Sequence, residues 1–329
     1  MRLVLAPHME HDAPEPTPWQ LERARNLPAA FPDAGLREVS MLRASTLDRV
    51  ADPMESTRVW LAVEAMQVTG SFKVRGALSA MGHRRTNTPV VTASAGSHGV
   101  GMAYAGRVLG QNVTIFVTNK VPILKLDRMR NYGADLVVVD SEHYGDAEAQ
   151  ARAFATTREA EFISARDNVD VIVGNGSSIG FEVTRALGGV PDVVIVPVGG
   201  GGLATGLSWA FRAEANESSP AIIGVQHDGH ATLLSLIEGS SGTRPSDCTA
   251  LARVASQLSA VAAASRDETH RAVMHAALKL GLNLEPSAAL PLVPILDGLP
   301  SAYRGGDVVL ILTARAVEVN RSRLSAAWT

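Results

Sequence analysis

The chain has 329 residues, 46% of them apolar and 19% charged, with a formal net charge of -3. That length holds one large or two modest domains around a substantial core, and the near-neutral charge excludes the electrostatic footprint of a nucleic-acid binder. A single cysteine, Cys248, excludes an internal disulfide or an all-cysteine metal site, and no stretch of about 20 apolar residues is free of charge, so no membrane span is expected.

In chain order, residues 1–40 are rich in proline and charge without a sustained period, and read as a surface arm. The opening MRLVLAPHMEHDAPEP has too short an apolar run for a signal peptide, and with one thiol in the chain a cytoplasmic protein is expected. Short β-branched runs predict strands at Val59–Val63, Val90–Ala93, Val113–Val117, Leu136–Asp140, Phe162–Ser164, Val193–Val198, Ile222–Gln226 and Val308–Thr313. Helical spacing lies between them, in GMAYAGRVLG, DAEAQARAFATTREAE, IGFEVTRALG and DETHRAVMHAALKLG. Gly110, Gly133, Gly188 and Gly281 fall where helix C-caps belong. Strands alternating with helices, and apolar on both faces, predict a mostly parallel α/β sheet covered on each side.

The clearest local signal is Val193-Val-Ile-Val-Pro-Val-Gly-Gly-Gly-Gly-Leu-Ala-Thr-Gly206. A hydrophobic strand runs into four glycines and a helix start. Backbone without Cβ atoms can approach an anion closely, and the helix N-terminus adds its positive dipole end. No Gly-Lys-Ser/Thr follows, which excludes a P-loop, and the position past the middle of the chain argues against a dinucleotide fold. A single phosphate fits best. The second signal is Lys73, in the first turn of a predicted helix, where positive charge is unfavourable and helix stability gives no reason for it. A lysine near an anion cradle can form an imine with a carbonyl cofactor.

The string Thr69-Gly-Ser-Phe-Lys-Val-Arg-Gly-Ala77 resembles the lysine motif of fold-type II pyridoxal-phosphate enzymes, above all the serine/threonine dehydratases. Gly199–Gly202 with Leu203 resembles their phosphate loop, Thr92-Ala-Ser-Ala-Gly-Ser-His-Gly99 their substrate-carboxylate loop, and Leu284-Glu-Pro-Ser-Ala-Ala289 a segment near the cofactor ring. The resemblance runs from about residue 40 to 318, with the motifs in family order. It implies two three-layer α/β domains with mostly parallel sheets, the tryptophan synthase β-like architecture. A large cofactor-binding domain would comprise residues 1–83 and 156–329, and a small one, residues 84–155, would carry the carboxylate loop. The chain stops without the regulatory C-terminal domain of some dehydratases, so that form of control is not expected.

The resemblance also implies roles. Lys73 holds pyridoxal 5'-phosphate as a Schiff base and then acts as the base at Cα, and Phe72 packs beside the ring. Gly199, Gly200, Gly201, Gly202 and Leu203 hold the phosphate. Ser94, Ala95, Gly96, Ser97 and His98 bind the substrate carboxylate. Ser97 also stands where relatives have an asparagine on the cofactor's phenolic oxygen; its other reading is a helix N-cap. Thr313 replaces the serine that faces the ring nitrogen, while Ala314 and Arg315 replace glycines, so the turn after that strand must differ. Arg315 either reaches solvent or enters the site. Ala95 replaces the serine that serine racemases set opposite the lysine, which favours elimination over racemisation. Glu285 is either ion-paired structure or a catalytic group that tunes proton transfer. Gln226 stands where some relatives have a metal-binding glutamate, and His227 and His230 lack ligand spacing, so no metal is expected.

The expected reaction is β-elimination of a β-hydroxy amino acid such as threonine or serine to a 2-oxo acid and ammonia, in a homodimer. The alternatives are a β-replacement synthase on the same fold, of the cysteine- or diaminopropionate-forming type, with a modified amino acid as a further substrate option, a nucleotide-binding oxidoreductase, and a non-catalytic pyridoxal-phosphate or amino-acid sensor.

Overall fold

The strands Thr57–Val63 (β3), Val193–Pro197 (β8) and Gly306–Leu312 (β11) lie side by side and in parallel at the centre of a seven-stranded sheet. The computed structural model describes residues 2–6, 14–54, 56–84, 88–94, 96–215, 219–238 and 245–317. On one side of β8 the sheet continues in parallel through Ala221–His227 (β9) and Ala260–Ala264 (β10). It is edged by two antiparallel strands, Arg2–Leu5 (β1) on β10 and Ser40–Arg43 (β2) on β3.

Side chains of the central strands alternate between two cores. Val193, Ile195, Val308, Leu310 and Leu312 face one, with Ala272 and Ala276 of helix Arg266–Lys279. Val194, Val196, Val309 and Ile311 face the other, with helices Ser178–Leu187 and Gly202–Glu214. Both faces are therefore dry, which accounts for unbroken apolar runs such as VVIV and VVLIL. The second sheet has four parallel strands in the order Asp135–Val139 (β6), Val113–Thr118 (β5), Val90–Ser94 (β4) and Glu161–Phe162 (β7). Helix Lys73–Met81 joins the two parts, since its Val74, Ala77, Leu78 and Met81 lie in one core with Val90, Ile115 and Val117 of this sheet.

A buried ionic cluster fixes the same helix. The Arg75 guanidinium is fully buried and donates to Glu64 at 2.8 and 2.9 Å, to Glu182 at 2.8 Å twice, and to the Arg37 carbonyl at 2.9 Å. Burial pulls its pKa down, but the two carboxylates outweigh burial and raise it, so the charge stays. Removing one partner would leave an uncompensated buried charge, at about 3–5 kcal/mol. Two residues after Lys73, the backbone is thus held hard in place.

Three expectations are corrected. The segment 1–40 is not merely an arm: it supplies β1 and a helix, Pro18–Arg25, closed by a capping box between Thr17 and Gln20. The strand β10, sequence AVAAA, is unexpected, because alanine favours helix and the strand is defined by its neighbour β9 and not by propensity. The strand expected at Phe162–Ser164 is β7, Glu161–Phe162, and it pairs with β4 in the smaller sheet, so that sheet draws on residues past 155. Helices end as expected at Gly110 and Gly188, both left-handed. Among the described residues no helix is long and apolar enough to cross a membrane.

Candidate active site

A cavity of about 460 Å³ opens where the ends of β4, β8 and β11 meet. Its wall contains Phe72, Lys73, Ser94, Gly96, Ser97, His98, Gly199, Gly200, Gly201, Gly202, Leu203, Glu285 and Thr313, brought together from five separate stretches of chain. Ala95 lies outside the described residues.

The lysine segment is stitched to the end of β11. Phe72 N–H donates to the Thr313 carbonyl at 3.1 Å, Ser71 bridges Ala314, and Arg315 N–H donates to the Gly70 carbonyl at 3.0 Å. On the other side Leu284 bridges Arg315 and Glu285 N–H donates to the Ala314 carbonyl at 3.3 Å. Ala314 and Arg315 are thus held between the Gly70–Phe72 and Leu284–Glu285 segments. Arg315 itself is exposed and packs over Gly70, outside the cavity wall. The Lys73 ammonium lies 4.8 Å from the Phe72 ring centroid. Burial, with Arg166 adding to it and Glu285 opposing, lowers the Lys73 pKa from 10.5 to about 8. The amine is thereby nearer to its reactive neutral form.

The glycine loop leaves β8 and starts helix Gly202–Glu214. Gly201 has φ +85°, and a Cβ there would stand 2.7 Å from Val254 Cβ, so only glycine fits. The Arg166 side chain lies along Gly200, and its guanidinium carbon sits 4.3 Å from the centroid of the Tyr144 ring.

The second loop leaves β4 and starts helix Ser97–Leu109. Ser94 Oγ accepts from the N–H groups of Gly96 at 3.0 Å and Gly99 at 2.7 Å, which folds the loop back on the strand. Ser97 is the first helical residue, and the N-cap position belongs to Gly96. Ser97 Oγ instead accepts from Lys125 Nζ at 3.1 Å, and the same ammonium reaches Glu285 Oε2 at 3.3 Å. His98 is buried, and burial together with Lys73 lowers its pKa to about 3, so the ring is neutral. Thr92 Oγ1 donates to the Ile163 carbonyl at 2.7 Å, so it must accept from His98 Nε2 at 3.1 Å. That leaves His98 Nδ1 as a bare acceptor, with no protein partner among the described residues. Tyr144 Oη is likewise buried without a partner there.

Lys125, Tyr144 and Arg166 were not singled out from the sequence. Lys125 did carry a signal, since it follows Pro122 in the first turn of helix Ile123–Asn131, the same unfavourable placement that marked Lys73. Arg166 lies in an irregular segment and Tyr144 opens helix Tyr144–Thr157, and neither carries one. Gln226 plays a structural part, because its oxygen accepts from Leu233 and Leu234 N–H at 3.1 and 3.2 Å and so holds the start of helix Thr232–Ile237. Among the described residues no group of three or more His, Cys, Asp or Glu could hold a metal ion; the His230 side chain is outside them.

The chain is similar to known proteins. The chain is 28% identical over 303 residues to an L-threonine ammonia-lyase of Thermotoga maritima, covering 87% of this chain and 74% of that one. It superposes on the crystal structure of a T.th. threonine deaminase with a TM-score of 0.77 at 25% identity, over 93% of this chain and all of that one. An aspartate racemase shares the fold, with a TM-score of 0.79 at 20% identity over 97% of this chain and 99% of its own. The profile of the family described as pyridoxal-phosphate dependent enzyme matches residues 42–314, most of the chain. With a half-buried lysine of lowered pKa set between a tetraglycine turn and a second helix N-terminus, the chain belongs to the pyridoxal-phosphate dependent enzymes.

Proposed function

We propose that the chain is an ammonia-lyase that removes water from a β-hydroxy amino acid, threonine or serine, and returns a 2-oxo acid and ammonia. The observation that carries this reading is the placement of Lys73 in one cavity with two helix-starting loops, Gly199–Leu203 and Ser94–His98. One loop suits a phosphate and the other a carboxylate.

The residues present fit pyridoxal phosphate. The lowered amine of Lys73 would hold the aldehyde carbon, Gly199–Leu203 the phosphate, Phe72 the ring face, and the Thr313 hydroxyl the ring nitrogen. The unpartnered buried atoms His98 Nδ1 and Tyr144 Oη mark a wall built for a polar occupant. Bound, the cofactor supplies a sink for the electron pair left at Cα. Lys73 would move the Cα proton, since its amine lies in the wall and burial lowers its pKa to about 8. The N–H groups at the start of helix Ser97–Leu109 orient the carboxylate, and Glu285 sets the local charge. A hydroxyl at Thr313, in place of a carboxylate, leaves the ring nitrogen without a proton donor stronger than an alcohol. The small sheet and its helices would act as the carboxylate-bearing domain. The single cysteine favours a reducing, cytoplasmic setting, and the family resemblance a homodimer.

The test is an absorbance spectrum of the wild type and of Lys73→Ala with pyridoxal phosphate, followed by a panel of β-hydroxy amino acids. The expected result is an imine band in the wild type alone, and release of ammonia with a 2-oxo acid from threonine or serine. A band without ammonia, but with a new amino acid once a nucleophile is added, would replace elimination by β-replacement. No band in the wild type would end the reading.

A further inference from the structure

Lys125 stands on helix Ile123–Asn131, beside the smaller sheet, and spans the cavity mouth. Its ammonium touches Ser97 Oγ at 3.1 Å and lies 3.3 Å from the point a Cβ on Gly96 would occupy. It is therefore in contact with the carboxylate loop. Its third neighbour, Glu285 Oε2 at 3.3 Å, comes from the opposite wall, where Glu285 is anchored to Ala314 and accepts from Ser287 Oγ at 3.2 Å. The two side chains of this pair are 14% and 23% exposed. At 3.3 Å the contact is longer than a strong charge-assisted hydrogen bond, and both partners line the cavity, within reach of an entering carboxylate.

The loop beside it has donors to spare. Of the four N–H groups in the first turn, Gly99 donates to Ser94 Oγ and Val100 to the Gly96 carbonyl, which leaves Ser97 and His98 without an acceptor among the described residues. A carboxylate that settles on those two groups comes within reach of Lys125, where the protein's own carboxylate now sits.

We propose that Lys125 binds the α-carboxylate of the substrate, and that Glu285 holds its place until the amino acid arrives. This deepens the dehydratase reading and rests on it. The exchange swaps one carboxylate for another, so the ammonium keeps a counter-ion throughout. Glu285, released from Lys125, retains Ser287 and faces the cavity.

The experiment uses the pyridoxal-phosphate-loaded full chain and titrates L-alanine, which has the carboxylate but no leaving group, with the cofactor absorbance as readout. Lys125→Met is expected to raise the L-alanine dissociation constant at least about tenfold, and Lys125→Arg to recover most of it. Glu285→Gln is expected to lower that constant by about threefold, because a competitor is gone. A Lys125–Glu285 pair that merely clamps the two walls predicts the reverse for Glu285→Gln, since losing the clamp loosens the loop. Binding within twofold of wild type in Lys125→Met, or weakened binding in Glu285→Gln, overturns the proposal. A wild-type protein without an imine band overturns the dehydratase reading itself; the dissociation constants of the two variants decide the role of Lys125.

Discussion

Gly199–Leu203 and Ser94–His98 occupy the same point of two strand-to-helix units, one on each sheet, and both turn a helix N-terminus to the cavity. The first is shaped by its own backbone, through the left-handed Gly201 packed against Val254. The second is shaped by side chains. Ser94 gathers two of its N–H groups, and Lys125, itself paired with Glu285, reaches it from a distant stretch of chain. A cradle of backbone suits one fixed anion. A cradle of side chains can exchange partners, which suits a ligand that enters and leaves at every turnover.

The sharpest way to break the comparison is Gly201→Ala. Left-handed strain and a contact at 2.7 Å with Val254 would force the loop open, and the dissociation constant for pyridoxal phosphate should rise on the order of a hundredfold in an absorbance titration. The next effect is pH dependence. Arg166 beside the glycine loop adds to burial in holding the Lys73 pKa down, and Glu285 beside the other loop opposes it. Only the neutral amine attacks an aldehyde. The rate at which cofactor-free protein forms the imine should therefore rise about tenfold per pH unit below the Lys73 value of about 8, then level off. A rate still climbing at the ordinary lysine value of 10.5 would put the amine in open water.

Ser94→Ala should act on the other loop alone. With the acceptor for Gly96 and Gly99 gone, KM for the amino acid should rise by about tenfold, while the cofactor titration stays at the wild-type value. Loss of cofactor in that variant would show that the two loops are one unit. Thr313→Val, at the seam between them, should have the smallest effect, about threefold in kcat with a shifted imine band.

The backbone cradle was legible in the sequence because four consecutive glycines after an apolar strand have few other uses. The lysine, the Ser94–His98 loop and Glu285 were picked out by the motifs around them, and the structure sets them in one cavity. Lys125 and Arg166 were not, because their meaning lies in what the fold sets beside them: a serine 28 residues away for Lys125, and the distant Gly200 for Arg166. The doubly covered parallel sheet followed from runs such as VVIV, but β10 did not, since five small residues become a strand only with β9 for a neighbour. Edge strand β1 was hidden for the same reason, as its four residues gain their order from β10.

The position of β11 has a consequence for biosynthesis. It is a late strand in the chain, yet it lies between β8 and β3, and the Lys73 segment is pinned to its end through Thr313 and Ala314. The smaller sheet draws all its strands from residues 90–162 and can assemble while the ribosome is still adding the second half of the chain. The larger sheet waits for its middle. A nascent chain stalled before Gly306 would display both loops and the lysine but lack the strand that aligns them, so cofactor capture belongs to the last stage of synthesis.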